Sequence, residues 1–68
     1  MTTMINAAEV RLGDRLRTRT GLKLTVTRID RGMFGRDMLA FVEDSDEQWL
    51  KMPSPPDAEV ELVSRAAG

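Results

Sequence analysis

Residues 22–30 read Leu22-Lys23-Leu24-Thr25-Val26-Thr27-Arg28-Ile29-Asp30. Their alternation indicates the fold class, because apolar residues at every second position share one face of a strand and the polar residues between them share the other. Ile29 falls one position out of step with Leu22, Leu24 and Val26. We therefore predict a long second strand with a bulge or bend near Thr27–Arg28, which returns Ile29 to the buried face and curls the strand as a small closed barrel requires.

Four further segments have strand patterns, and they are residues 14–20, 38–43, 47–52 and 59–63. The connection between the first two strands sets their register. A three-residue loop, residues 19–21, places Leu16 opposite Leu24 and puts Gly21 at the left-handed position that such loops need. The same register sets Arg17 opposite Lys23, which costs stability unless an acidic residue lies beside them. The predicted core residues are Leu24, Val26, Ile29, Phe41, Leu50 and Val60.

The remaining segments are predicted to be turns or loose ends. Residues 53–58 contain three prolines, which excludes a sheet interior and favours a helical turn around residues 56–58. Asn6-Ala7-Ala8-Glu9 has the form of a capping box and predicts a single helical turn, after which Val10 and Leu12 enter the core. Residues 1–5 and 64–68 are predicted to be loose termini.

This order of elements resembles a small SH3-like β-barrel. The resemblance covers about residues 10–63, and its most specific part is Val10-Arg11-Leu12-Gly13-Asp14-Arg15-Leu16 followed by Thr20-Gly21. It implies an all-β single domain over residues 1–68, a five-stranded SH3-like barrel with a short helical turn before the last strand. The fold itself implies no particular function.

In such a barrel the first and last strands are neighbours. The resemblance therefore implies that the arginines of the first strand lie near the glutamates of the last, which relieves the conflict between Arg17 and Lys23. The residues concerned are Arg15, Arg17, Arg19, Glu59 and Glu61.

Composition argues against an enzyme and against a bound cofactor or metal. The 68 residues include no Cys and no His, so thiolate ligands and the commonest general base are missing. Asp44, Asp46 and Glu47 are close in sequence but lack the glycine and the loop length of a calcium site. No stretch is typical of a signal peptide or a membrane span, and we expect a cytoplasmic protein.

Charge is divided between the two halves of the chain. The net charge is −1, but residues 1–36 hold eight basic and three acidic side chains, and residues 37–68 hold two basic and eight acidic ones. Basic strands that pair with acidic strands account for this. The alternative is a nucleic-acid-binding face on which Phe34 stacks on a base, although a sequence pI of 5.3 argues against a strong phosphate footprint. The candidate nucleic-acid-binding residues are Arg15, Arg17, Arg28, Arg31 and Arg36.

Protein binding is the function that the sequence favours. In Arg31-Gly32-Met33-Phe34-Gly35-Arg36-Asp37 two glycines bracket two large apolar residues, and Trp49 lies on the outward face of its strand. Such residue types are enriched at interfaces. The candidate partner-binding residues are Arg31, Met33, Phe34, Arg36 and Trp49. We predict a small non-enzymatic binding module; the loop tip is covered by the barrel itself, by a second copy or by another protein.

Overall fold

The computed structural model describes residues 3–33 and 37–65, and within these ranges it contains seven strands and one turn of 3₁₀ helix, Ala7–Glu9. The strands are β1 (Thr3–Asn6), β2 (Arg15–Arg17), β3 (Lys23–Thr25), β4 (Arg28–Met33), β5 (Met38–Asp44), β6 (Trp49–Ser54) and β7 (Glu59–Ser64). They form a four-stranded sheet of order β1-β7-β2-β3 and a three-stranded sheet of order β4-β5-β6. All neighbouring strands are antiparallel. The all-β prediction is confirmed.

The five-stranded closed barrel is not confirmed, because the predicted long second strand is divided between the two sheets. β3 belongs to one sheet and β4 to the other, and the chain turns at Val26 and Thr27. Thr27 fixes this corner: its backbone N–H donates to the Val42 carbonyl at 2.8 Å, and its hydroxyl donates to the same oxygen at 3.0 Å. The bend was predicted at the correct place, but it transfers the chain from one sheet to the other instead of curling one strand.

The core lies between the two sheets. Its buried residues are Ala7, Val10, Leu16, Leu24, Val26, Leu39, Phe41 and Val60. Four of the six predicted core residues are among them, while Ile29 and Leu50 are half-buried and pack against the cluster. Leu12 and Leu22 were predicted to point inward, and both predictions are wrong. The exposed fraction of the surface is 63% for Leu12 and 53% for Leu22.

The predicted hairpin register is confirmed. Leu16 lies opposite Leu24 and Arg17 lies opposite Lys23. Gly21 has a φ of +87°, the left-handed conformation expected at this position. β7 is the other neighbour of β2, and Arg17 Nε donates to Glu61 Oε2 at 2.7 Å. The first and last predicted strands are therefore adjacent, and an acidic residue offsets the Arg17–Lys23 repulsion.

Three predictions about the chain ends are wrong. Thr3–Asn6 form β1, paired with β7, where a loose terminus was expected. The predicted single helical turn after Asn6 is confirmed by the 3₁₀ helix Ala7–Glu9, but the predicted cap is wrong because the Asn6 side chain makes no capping hydrogen bond. Ser64 belongs to β7 and Arg65 binds Asp14, so neither residue is frayed.

The predicted helical turn before the last strand is also wrong. Residues 55–58 instead form a turn closed by a hydrogen bond from the Ala58 N–H to the Pro55 carbonyl at 3.1 Å. β6 extends two residues beyond the predicted strand end at residue 52 and includes Pro53. This does not contradict the predicted exclusion of the prolines from a sheet interior. A proline is tolerated there because β6 is the edge strand of its sheet.

Candidate functional site

Side chains connect the edge of β3 to the β5–β6 hairpin. The Thr25 N–H donates to Glu43 Oε1 at 2.7 Å, and Gln48 Nε2 donates to the Lys23 carbonyl at 3.1 Å. Gln48 Nε2 also donates to Glu43 Oε1 at 2.9 Å, which joins the two contacts into one network. This network satisfies backbone groups on the outer edge of β3 and holds the two sheets together where no backbone ladder joins them.

Glu43 is the centre of this connection and is only 7% exposed. The hydrogen bond from the Thr25 N–H lowers the pKa of Glu43 below its ordinary value of 4.5. Burial opposes this shift, and further hydrogen bonds from the side chains of Gln48 and Ser45 support it. Glu43 is therefore held as a carboxylate that accepts hydrogen bonds.

Next to this connection lies a groove of about 270 Å³ between the β2–β3 hairpin and β6. Leu22 stands on one side, and Leu50, Met52 and Pro53 of β6 stand on the other, with Leu24 also in the lining. Leu22 is exposed because it comes directly after the turn at Gly21, at the closed end of the β2–β3 hairpin. The groove is mostly apolar, which is the character of sites that bind apolar side chains.

The charges at the groove have one sign. Among the described residues that line it, Arg19 and Lys51 are the charged ones, and no carboxylate is present. Threonine hydroxyls complete the lining; one of them, Thr18 Oγ1, accepts a hydrogen bond from the Leu22 N–H at 3.1 Å. The groove therefore combines an apolar floor with a basic rim. Of the two rim residues, Lys51 also pairs with a carboxylate outside the groove, since its Nζ lies 3.7 Å from Asp30 Oδ2.

Trp49 is the predicted partner-binding residue that lies on the same strand as the groove. It starts β6 opposite Asp44 and is 58% exposed. Its position in β6 alternates with those of Leu50 and Met52, which pack against the core. Trp49 and Lys51 therefore share the outer face of the three-stranded sheet.

The structure does not bring Trp49 together with Arg31, the first of the candidate residues in the predicted 31–37 loop. Arg31 is exposed and pairs with Leu39, five residues along β5 from Asp44, which pairs with Trp49. A strand rises about 3.4 Å per residue, so the two positions are roughly 17 Å apart. Arg31 also lines a separate hollow of about 280 Å³ with Met38 and Pro56.

The tip of that loop lies outside the described residues. The predictions for Phe34 and Arg36 fall on this part of the chain. The backbone of Met33 pairs with Met38 at the end of β4. The proposed role of the loop tip stays a prediction.

Four of the five arginines of the nucleic-acid alternative belong to the described residues, and they are divided between the two sheets. Arg15 and Arg17 lie on β2, and Arg28 and Arg31 lie on β4. Arg17 is paired with Glu61, and Arg28 donates to Asp30 Oδ1 at 2.9 Å and to Asp30 Oδ2 at 3.3 Å. These carboxylates offset positive charge that a phosphate backbone would otherwise meet.

The sequence did not reveal the groove. Leu22 was predicted to share the inward face of its strand because it continues the alternation of Leu24 and Val26, although it was not among the predicted core residues. One feature of the sequence did indicate exposure, because Leu22 directly follows the glycine of a tight loop. A residue next to the turn of a hairpin is covered by fewer neighbouring residues than one in the middle of its strands. The contribution of β6 was foreseen only in part, since Leu50 was placed in the core.

Comparison of the chain with protein-family models, with curated proteins and with solved structures finds no match. In the part of the chain that the structure describes, no helix has the length and apolar character needed to cross a membrane. Residues 3–33 and 37–65 also contain no group of three or more Asp or Glu side chains arranged to hold a metal ion.

Proposed function

We propose that this chain is a small non-enzymatic binding module that holds a segment of another protein in the groove beside β6. The observation that carries the proposal is the groove itself, with an apolar floor, an exposed leucine at its edge and a basic rim. Burial of a leucine side chain contributes about 1.5–3 kcal/mol, so Leu22 is a favourable contact for an apolar side chain of a partner. The chain has no Cys or His, which further supports a non-enzymatic role.

Protein binding is better supported than binding to RNA or DNA. Nucleic-acid affinity depends mainly on cations that contact phosphates. Two of the five candidate arginines, Arg17 and Arg28, already pair with carboxylates within 3 Å. The groove, by contrast, offers apolar surface, which a phosphate backbone does not use.

The test is a selection of displayed random peptides on the immobilised full chain, followed by measurement of the enriched peptides in solution. Leu22→Ser removes the apolar side chain at the groove edge. Leu12→Ser is the matched control, because Leu12 is similarly exposed and does not line the groove. Both substitutions are at exposed positions, so both variants are expected to fold.

We expect Leu22→Ser to weaken peptide binding by about tenfold or more, which corresponds to about 1.4 kcal/mol, and Leu12→Ser to leave it unchanged. Equal effects of the two variants would show that the peptides bind elsewhere. If no peptide is enriched while a mixed single-stranded oligonucleotide binds at physiological salt, the proposal is wrong and the nucleic-acid alternative replaces it.

A further inference from the structure

The backbone of β6 presents hydrogen-bonding groups to its open edge at two positions. In the β5–β6 hairpin the Ser45 N–H donates to the Gln48 carbonyl at 3.1 Å. Hydrogen-bonded pairs alternate along an antiparallel ladder, so the pairs Glu43–Leu50 and Phe41–Met52 are bonded. The backbone groups of Trp49 and Lys51 consequently point away from β5.

A second observation supports the conclusion that the backbone groups of Trp49 and Lys51 point away from β5. The carbonyl of Val42, the partner of Lys51 in the register, accepts from the Thr27 N–H on the β4 side. It therefore faces away from β6. Pro53, which has no N–H, occupies the next outward-pointing position of β6, where the missing donor costs no bond to β5.

This open edge borders the groove. Leu50 and Met52 turn their side chains toward the groove, while Trp49 and Lys51 lie on the opposite face of the same strand. Among residues 3–33 and 37–65, the N–H groups of Trp49 and Lys51 have no backbone partner beyond the sheet. An added strand would thus meet hydrogen-bonding groups and an apolar floor together.

We propose that the partner segment binds as an extended strand along the free edge of β6, hydrogen-bonded to the backbone of Trp49 and Lys51, with apolar and acidic side chains in alternation. This inference rests on the proposed function and deepens it. Alternate side chains of a strand point to opposite faces. The apolar ones would enter the groove beside Leu22, and the others would lie next to Lys51 on the outer face.

Charge complementarity determines the chemistry of this occupant. Arg19 and Lys51 are at the groove and no described carboxylate lines it. On the outer face Lys51 Nζ lies 3.7 Å from Asp30 Oδ2, and the three donors of an ammonium group leave it able to bind a further carboxylate. Acidic side chains on the segment would therefore bind Arg19 and share Lys51 with Asp30. A second copy of the chain is a poorer occupant through its own β6, because Trp49–Ser54 contains one lysine and no carboxylate. The favoured occupant is therefore an acidic segment of a different protein.

The test compares Lys51→Pro with Lys51→Ala, using the peptides enriched in the selection as probes. The Lys51 N–H makes no bond to β5, so proline there removes an edge donor and leaves the β5–β6 ladder intact, as Pro53 does. Lys51→Ala removes the same charged side chain and keeps the N–H. We expect Lys51→Pro to bind at least about tenfold more weakly than Lys51→Ala. Equal binding by the two folded variants would overturn strand pairing.

A scan of the peptide backbone gives the same information with the unaltered protein. Each peptide amide is N-methylated in turn, and strand pairing predicts that every second position is sensitive, because only alternate amides face β6. A scan without this period of two overturns the inference even if Lys51→Pro fails to fold. If the scan overturns strand pairing, the effect of Leu22→Ser on peptide binding still tests the proposed function by itself, so the two proposals are judged separately.

The acidic character of the partner is tested on the same peptides. Replacing their Asp and Glu residues by Asn and Gln is expected to reduce affinity and to remove most of the salt dependence. Unchanged affinity would contradict an acidic partner. Self-association of the free chain that Lys51→Pro abolishes would show that a second copy occupies the edge, and it would overturn the assignment to another protein.

Discussion

Arg65 holds Asp14 with two hydrogen bonds, from Nε to Oδ1 at 3.0 Å and from Nη2 to Oδ2 at 3.1 Å. Asp14 is 1% exposed and also accepts a hydrogen bond from the Arg11 N–H at 2.9 Å. The end of the described chain is thereby joined to the turn that precedes β2. Burial raises the pKa of Asp14, whereas the hydrogen bonds from Arg65 and Arg11 lower it. The lowering effects together are larger, so the pKa of Asp14 lies below its ordinary value of 3.8.

Asp14→Ala is expected to destabilise the protein more than Arg65→Ala does. The first change removes the hydrogen bond from the Arg11 N–H as well as both bonds from Arg65, whereas the second removes only those from Arg65. A typical hydrogen bond contributes about 0.5–1.5 kcal/mol. The Arg65 side chain is 43% exposed, so solvent screens its contribution. Urea unfolding of the two variants measures the difference. A larger loss of unfolding free energy from Arg65→Ala would show that the Arg65–Asp14 ion pair contributes more to stability than the hydrogen bond within the turn.

Acid is expected to destabilise the fold through Glu43 and Asp14. Both groups have folded-state pKa values below their ordinary values of 4.5 and 3.8. These two carboxylates therefore stabilise the folded state fully above their ordinary pKa values, and this stabilisation is lost as the pH falls through the lowered folded-state pKa values. Glu43→Gln removes one of the two groups, so its unfolding free energy should decline less steeply than that of the original chain between about pH 5 and about pH 2. Identical slopes would contradict this role of Glu43.

Leu24→Ala and Leu22→Ala are expected to have very different effects on stability. Leu24 is fully buried, and truncation of a buried leucine costs about 2–5 kcal/mol. Leu22 is exposed, so its truncation should change stability by no more than about 0.5 kcal/mol. Thermal melts of the two variants, recorded under identical conditions, test whether Leu22 lies outside the core. Similar losses of stability would mean that Leu22 is covered in solution.

Exchange of the charges at positions 17 and 61 tests the pairing of β2 with β7. Glu61→Lys alone leaves Arg17 with a basic side chain on each side, the introduced lysine on β7 and Lys23 on β3, and should lower stability. Adding Arg17→Glu restores opposite charges on both sides and should recover it. The coupling between the two positions is expected to be about 0–1 kcal/mol, as for other exposed pairs. A double-mutant cycle measures it, and zero recovery would show that this ion pair does not influence the pairing.

Local patterns predicted the fold at the level of strands and hairpin register. The alternation around Leu24 and the positive φ required at Gly21 depend on neighbouring residues alone, and both predictions are confirmed. Residues 38–43 were predicted to be a strand, and within β5 the four residues of the run Leu39-Ala40-Phe41-Val42 are all buried. Ala40 and Val42 face away from the core cluster, flanked in the register by the longer residues of β4 and β6.

The features that were missed depend on contacts between residues distant in sequence. No role was predicted for Asp14 or Glu43, because the groups that donate hydrogen bonds to them come from Arg65 and from Thr25, which are distant in sequence. β1 was missed because a short terminal segment becomes a strand only when β7 is beside it. The groove was missed for the same reason, since it exists only where the β2–β3 hairpin approaches β6.

The central claim is that the edge of β6 and the neighbouring hairpin bind a protein segment. The most direct measurement is a titration of the ¹⁵N-labelled full chain with an enriched peptide, followed by amide chemical shifts. The account predicts the largest changes at Trp49, Lys51 and Leu22, with slowed hydrogen exchange of the Trp49 and Lys51 amides once they are bonded to the peptide. Changes confined to residues 31–37 or to the exposed arginines, with the β6 amides unaffected, would contradict it.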